Sequence, residues 1–229
     1  MLEVVDVSKR LGARLVLQRV RMSCGPSEVA VVVGENGAGK STLLRVVSGI
    51  LEPDAGEVRI GGASMRDGGV AARRALGYVP DATDALPDLM VAEFVKLVGE
   101  LKGVATGRRD GPHDPLGAHR ARLGLDSVWH QRLSTLSFGQ RKRACVLAAL
   151  IGDPWLLVLD EPSNGLDPVG TAVMRSLVED RRAAGKATLL TTNDVAFVES
   201  IEGTRYELRE AVLRRVETVA PAEREPGTV

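Results

Sequence analysis

The order of apolar patterns along the chain predicts an α/β fold: a mostly parallel sheet, an N-terminal antiparallel β subdomain and an inserted α-helical subdomain. Apolar residues alternate in Leu15-Val16-Leu17 and from Val20 to Met22, as in an edge antiparallel sheet with one solvated face. Val29 to Val33, Leu156 to Leu159 and Ala187 to Thr191 are instead near-continuous apolar runs, the pattern of strands buried on both faces. A helical stretch from Val169 to Ala183 separates the last two runs and gives the β-α-β rhythm of a parallel sheet.

The elements follow in order. Val29 to Val33 ends at Gly34 and a glycine-rich loop, after which Ser41 to Val47 fits a helix stopping at Gly49. Pro53-Asp54-Ala55-Gly56 is a turn signal leading into a short strand, Glu57 to Ile60. From about residue 82 to 151 the chain reads as helices, with Met90 to Leu101 the clearest. The Gly, Pro and Arg-rich connection from Gly103 to Gly117 is expected to be a mobile surface loop. After Val219 the apolar period is lost, so residues 1–219 are expected to form one domain and 220–229 a flexible tail.

At 229 residues the chain is long enough for one large α/β domain carrying an inserted subdomain. Lys plus Arg and Asp plus Glu balance at 30 each, so no basic excess draws it onto nucleic acid or anionic lipid. The longest apolar stretches, such as Ala144 to Ile151, fall far short of the ~20 residues that cross a bilayer. The acidic start Met1 to Asp6 does not read as a secretory signal. Cys24 and Cys145 are therefore expected as free thiols in a reduced compartment. His113, His119 and His130 lack metal-ligand spacing, and no zinc site is expected.

Gly34-Glu35-Asn36-Gly37-Ala38-Gly39-Lys40-Ser41-Thr42 satisfies G-x-x-x-x-G-K-[ST]. With this chain's residue frequencies, chance would produce the pattern in roughly one such sequence in a hundred, and here it also lies between a strand and a helix. Glycines let backbone N–H groups converge on phosphate oxygens at a helix N-terminus. Lys40 would neutralise the β- and γ-phosphates of a nucleotide while the Ser41 hydroxyl binds Mg²⁺. The plainer alternative is a glycine turn joining strand to helix.

Leu156-Leu157-Val158-Leu159 leads into Asp160-Glu161-Pro162, placing two carboxylates at the end of a buried strand, where open α/β folds bind ligands. Asp160 would hold Mg²⁺ through water, and Glu161 would polarise the water that attacks the γ-phosphate. Taken alone, this is also an ordinary acidic turn. In Leu136-Ser137-Phe138-Gly139-Gln140, Ser137 and Gln140 have capping-box spacing, ahead of a helix whose apolar face is Ala144, Leu147, Ala148 and Ile151. A capped amphipathic helix accounts for it, yet its N-terminus, with a serine hydroxyl and a glycine, is a second anion site.

Together, the glycine loop, Leu136 to Gln140 and Leu157 to Asp167 make the chain resemble an ABC ATPase, the ATP-binding subunit of an ABC transporter, with a P-loop NTPase core. The resemblance runs through nearly the whole sequence and implies ATP and Mg²⁺ as cofactors. It implies that Ser137, Gly139 and Gln140 complete the ATP site of a second subunit, with Ser163 to Asp167 linking the two sites. A two-fold pair, more readily two copies than two different chains, would then hold two complete sites. A separate transmembrane permease would dock beside Asp81 and the segment Asp84 to Phe94, leaving this subunit cytoplasmic and peripheral on the inner face of the membrane.

Three departures stand out. Leu11 occupies the place of the family's adenine-stacking aromatic, and losing a base stack worth ~1 to 3 kcal/mol implies weaker binding. Asp81 replaces a glutamine that senses Mg²⁺ and the attacking water; it can bind the metal but adds negative charge beside the γ-phosphate, as in some exporter-like members. Asn193 replaces a histidine that contacts the γ-phosphate, and loss of one electrostatic donor commonly costs ~10² to 10³ in rate. Slow hydrolysis follows. The alternative is a non-hydrolysing ATP-gated clamp, reset by a more active partner. Soluble relatives acting on ribosomes or DNA ends usually carry two cassettes or a long coiled coil, and neither pattern is in this sequence.

Overall fold

In the computed structural model the described residues are 1–66, 69–82, 86–104 and 116–216. The expected loop tip at 105–115 and the tail at 220–229 lie outside them.

Among the described residues the strands form two sheets. β1 (Leu2–Leu11), β2 (Arg14–Cys24), β4 (Ala55–Ile60) and β5 (Ala63–Ser64) pair antiparallel in the order β2-β1-β4-β5. The larger sheet runs β10-β9-β3-β8-β7-β6, from β10 (Val212–Val216), β9 (Thr204–Arg209), β3 (Val29–Val33), β8 (Ala187–Thr191), β7 (Leu156–Asp160) and β6 (Leu76–Val79). Every pairing in it is parallel except β10 with β9.

Side chains alternate faces along a strand, and here both faces are covered. Val29 and Val31 of β3, Leu157 and Leu159 of β7 and Leu190 of β8 enter a core shared with the helical middle of the chain. Their neighbours Ala30, Val32, Leu156, Val158, Ala187 and Leu189 enter a second core, shared with the antiparallel sheet. Helix α1 (Lys40–Val47) supplies Leu43, Leu44, Val46 and Val47 to that second core and ends at Gly49, whose φ is +67°. The apolar runs read from sequence therefore lack polar alternation because neither face of these central strands, β3, β8 and β7, meets water.

After α2 (Val70–Arg74) and β6, the middle of the chain contains α3 (Val91–Lys102), α4 (Gly117–Arg122), two 3₁₀ turns at Asp126–Val128 and Leu133–Thr135, and α5 (Phe138–Ala149). The expected apolar face of α5 is buried, with Ala144, Leu147, Ala148 and Ile151 all in the first core. At Gly77 of β6 the end of α5 approaches the sheet closely: a Cβ there would lie 2.3 Å from the Ala149 carbonyl oxygen. α6 (Pro168–Ala183) starts on Asp167, whose side chain accepts a bond of 2.7 Å from the Gly170 N–H. It leads through β8 to α7 (Val195–Glu199), capped in the same way by Asp194.

One arginine fastens the N-terminal ends of β7 and β8. Arg181 is buried, and its guanidinium donates to the carbonyls of Pro154 (2.9 Å), Trp155 (3.4 Å) and Ala187 (3.5 Å). Burial pushes its pKa down to about 10, still well above neutrality. Arg181→Ala removes the guanidinium from these carbonyls, leaving the Trp155 carbonyl only the Ala187 N–H, and is expected to destabilise the fold by about 2 to 4 kcal/mol. A thermal melt should show the midpoint fall by roughly 5 to 15 °C, and an unchanged midpoint would deny the fastening role.

Candidate functional site

The C-terminal ends of β3, β8, β7 and β6 lie at one edge of the sheet, and each is followed by a residue singled out in the sequence. Gly34 to Lys40 follow β3, Asn193 follows β8, Asp160 and Glu161 end and follow β7, and Asp81 follows β6.

Close approach shapes the loop after β3. A Cβ on Gly34 would meet the Leu208 carbonyl oxygen at 2.4 Å, and one on Gly39 would meet Val16 Cγ1 at 2.6 Å. Gly39 also has φ +111° and forms the N-terminal cap of α1, so that Ser41 and Thr42 lie in the helix's first turn. Gly37, with φ +78°, offers its carbonyl to the Arg14 guanidinium at 2.8 Å, tying the loop to the β1–β2 turn. Leu11 pairs with Arg14 across that turn and is 48% exposed, an apolar side chain open to solvent near the loop.

Lys40 is buried to 7% exposure, and its ammonium donates to the carbonyls of Gly34 (2.6 Å) and Glu35 (3.3 Å) and to Asn193 Oδ1 (2.9 Å). Glu161 Oε1 lies 3.7 Å from it, and Glu161 Oε2 accepts the Asn193 backbone N–H at 3.1 Å. The Asn193 amide nitrogen donates to Asn36 Oδ1 at 2.6 Å. Residues 36, 40, 161 and 193 thus form one hydrogen-bonded cluster, although they come from three separate parts of the chain.

Asp160 is 2% exposed and accepts the Thr191 hydroxyl at 2.7 Å. Among the described residues it has no ion-pair partner, and a buried carboxylate bonded only to a hydroxyl suits a cation brought in with a ligand. Together with the Ser41 hydroxyl it gives hard oxygen donors, the set Mg²⁺ takes when substrate phosphates complete its coordination. Thr191 would orient the carboxylate from behind. Among the described residues no group of three or more His, Cys, Asp or Glu could hold a metal; His113 lies outside them. Cys24 and Cys145 are free, and burial pushes their pKa values up to about 12 and about 11, so neither is poised as a nucleophile.

Ser137 caps α5 through a reciprocal box: its Oγ accepts the Gln140 N–H (3.2 Å) and its own N–H donates to Gln140 Oε1 (2.9 Å). The hydroxyl proton stays available as a donor. Among the described residues no hydrogen bond or ion pair joins Ser137, Gly139 or Gln140 to the Gly34–Thr42 loop, so in one chain they are separate places. The cap leans instead on the 163–167 turn, where Cβ atoms added at Gly139 and Gly165 would meet the Gly165 carbonyl oxygen at 2.8 Å and the Phe138 ring at 2.3 Å.

Asp81 is not isolated. Its Oδ1 accepts from Lys142 Nζ and from Asn164 Nδ2, each at 3.1 Å. Lys142 is a residue that motif reading passed over, because a lysine two residues after Gln140 looks like a solvated helix position. The available signal was helical: Val146 and Ala149, four and seven residues on, are apolar, so a helix that buries them carries Lys142 inward too.

Comparison with known proteins gives one family. The ABC transporter family model matches residues 17–164. The Nod factor export ATP-binding protein I of Rhizobium etli is 34% identical over 197 residues, covering 86% of this chain and 60% of that protein. The glycine betaine uptake system ATP-binding protein YehX of Escherichia coli is 33% identical over 198 residues, covering 85% of this chain and 63% of that protein. The chain thus spans less than two thirds of these curated relatives' length, and at nearly equal identity one is named for export and the other for uptake. A solved ATP-binding subunit of an ABC transporter superposes with a TM-score of 0.85 at 26% identity, covering 93% of this chain and 88% of that one.

Gly39→Ala puts a side chain 2.6 Å from Val16 Cγ1 at a positive φ, a strain of about 1 to 3 kcal/mol on the loop's conformation. ATP affinity is expected to fall about ten- to a hundredfold in a calorimetric titration, while circular dichroism stays that of the wild type.

Proposed function

The chain belongs to the ABC transporter family, and from that membership we propose that it binds and hydrolyses ATP as one subunit of a two-fold pair that drives a separate membrane-spanning partner. One observation carries the chemistry: Glu161 is held between the Lys40 ammonium and the Asn193 backbone N–H at the mouth of a phosphate-cradling loop.

The amides of Gly34 to Thr42 and the N-terminus of α1 bind the β- and γ-phosphates. Lys40 exchanges its carbonyl partners for phosphate oxygens, keeping its charge beside the bond that breaks. Mg²⁺, held through the Ser41 hydroxyl and Asp160, neutralises charge on the phosphates when bound. Glu161 orients a water and takes its proton as the water oxygen bonds to the γ-phosphorus. The bond to the β–γ bridging oxygen breaks, and ADP and phosphate leave. The Asn193 N–H and Lys40 reach different oxygens of Glu161, which fixes the carboxylate plane.

Ser137, Gly139 and Gln140 serve the partner subunit's nucleotide, and two-fold symmetry returns the service. Two copies of this chain suffice for that pair. Among the described residues no helix is long and apolar enough to cross a membrane. A permease is proposed to dock along residues 86–94, where Leu86 is 46% exposed, and to hold the subunit at the inner face of the membrane; Asp84 lies outside the described residues.

A slow or non-hydrolysing clamp is the second reading, and Asn193 favours it. Its amide is already used by Lys40 and Asn36, and it cannot bring a positive charge to the γ-phosphate.

Phosphate release from Mg-ATP separates the two. Hydrolysis predicts turnover that Glu161→Gln lowers by about 10² to 10⁴ with ATP still bound, whereas Lys40→Ala weakens binding itself. Asn193→His is expected to raise kcat by roughly 10². Tight ATP binding with background turnover in the wild type would select the clamp.

A further inference from the structure

Among the described residues Lys142 is the largest side chain with no exposed surface, and hydrolysis as proposed does not use it. It projects from α5, and its ammonium donates to the backbone carbonyls of Glu161 and Asp160 (3.4 Å) and to Asp81 Oδ1 (3.1 Å). The Phe138 ring lies 5.4 Å from the nitrogen. An ammonium has three protons and accepts nothing. Here each proton has an acceptor, and two of the three acceptors flank the same residue.

That residue needs holding. Glu161 has φ +47°, a left-handed conformation that non-glycine residues adopt at some strain. Its N–H donates to the Thr191 carbonyl at 3.0 Å, which fixes it to β8. On the other side its carbonyl receives the Asn164 N–H at 3.1 Å as well as the Lys142 ammonium. Because Lys142 binds the carbonyls both before and after Glu161, it constrains the dihedrals that aim the carboxylate at Lys40 and at the Asn193 N–H. Asp81 Oδ1 is meanwhile shared by Lys142 and Asn164, which ties that oxygen to the protein and sets it against the lysine's charge.

We propose that Lys142 is a positioning residue for Glu161, locking its left-handed backbone through the two flanking carbonyls, with Asp81 serving as the lysine's counter-ion and not as a Mg²⁺ ligand. The kinetic part rests on hydrolysis through Glu161; the backbone part does not.

Wild type, Lys142→Met, Lys142→Gln, Asp81→Asn and the Lys142→Met/Asp81→Asn double variant separate the possibilities. Methionine keeps the volume and removes the donors, whereas the glutamine amide can still donate to carbonyls. Lys142→Met is expected to lower kcat by about tenfold or more while KM and ATP affinity move less than about threefold, and Lys142→Gln to recover most of the loss. If Lys142→Met does not fold with Asp81 left unpaired, the double variant, which removes that charge, is expected to show the same kcat loss. Asp81→Asn should leave the half-saturating Mg²⁺ concentration within about twofold. Without nucleotide or metal, amide exchange over residues 160–164 should quicken in Lys142→Met and not in Lys142→Gln.

Wild-type kcat in both Lys142→Met and the double variant would overturn the positioning role, and a rise of about tenfold in Mg²⁺ requirement for Asp81→Asn would make Asp81 a metal ligand. Should the wild type itself not hydrolyse ATP, the hydrolysis reading fails separately. The exchange experiment then decides the lock on Glu161, and unchanged exchange in Lys142→Met overturns it.

Discussion

Strands buried on both faces can present charge only where they end, and that constraint organises this molecule. Along β3, β8 and β7, up to the terminal Asp160, every inward position on either face is taken by aliphatic side chains or by threonine. The backbone amides of the phosphate loop, the Asp160 and Glu161 carboxylates and the Asn193 amide therefore collect at the same edge. Parallel strands put all their C-terminal ends on that edge, so residues far apart in sequence become one cluster without any of them leaving its strand terminus. An antiparallel arrangement of the same strands would divide the set between two opposite edges.

Those strand runs are also why so much was legible in the sequence. Val29 to Val33 and Leu156 to Leu159 show unbroken apolar character because burial on two faces demands it, and each is followed at once by its polar cluster. The face of α5 was readable from Ala144, Leu147, Ala148 and Ile151, and its cap from Ser137 and Gln140, because both patterns are local. β6 was not. It is short and contains Gly77, a residue that argues against a strand until the approach of α5 is known. β9 and β10 also went unread: in β9, Tyr206 and Leu208 alternate with Arg205, Glu207 and Arg209 over only six residues, and in β10 the adjacent Arg214 and Arg215 break the alternation. Lys142 was missed for a related reason: composition sends a lysine to the surface, and only the three-dimensional meeting of α5 with the ends of β6 and β7 supplies its acceptors.

Two buried lysines serve this edge in different ways. Lys40 sits among loop carbonyls and side-chain oxygens that phosphate oxygens can replace, so its partners are exchangeable. Lys142 binds the carbonyls of a strand end and an acid anchored by Asn164, partners that no ligand supplies. One charge is available for chemistry and the other fixes geometry. The difference follows from whether the surrounding acceptors belong to a loop at a helix N-terminus or to the edge of the sheet.

The same distinction bears on Asp81 and Asn193. Read from sequence, Asp81 adds a negative charge where the γ-phosphate would sit. In the folded chain the Lys142 ammonium lies 3.1 Å from that carboxylate, so the pair is neutral as a unit, and a neutral unit repels an anion far less than a lone carboxylate does. Asn193 has no such compensation: its amide bonds to Asn36 and Lys40 replace hydrogen bonds but bring no charge. Of the two departures, it is therefore Asn193 that, under the proposed hydrolysis, would limit how well the site stabilises a developing anion, with the electrostatic deficit on the β8 side of the Gly34–Thr42 loop.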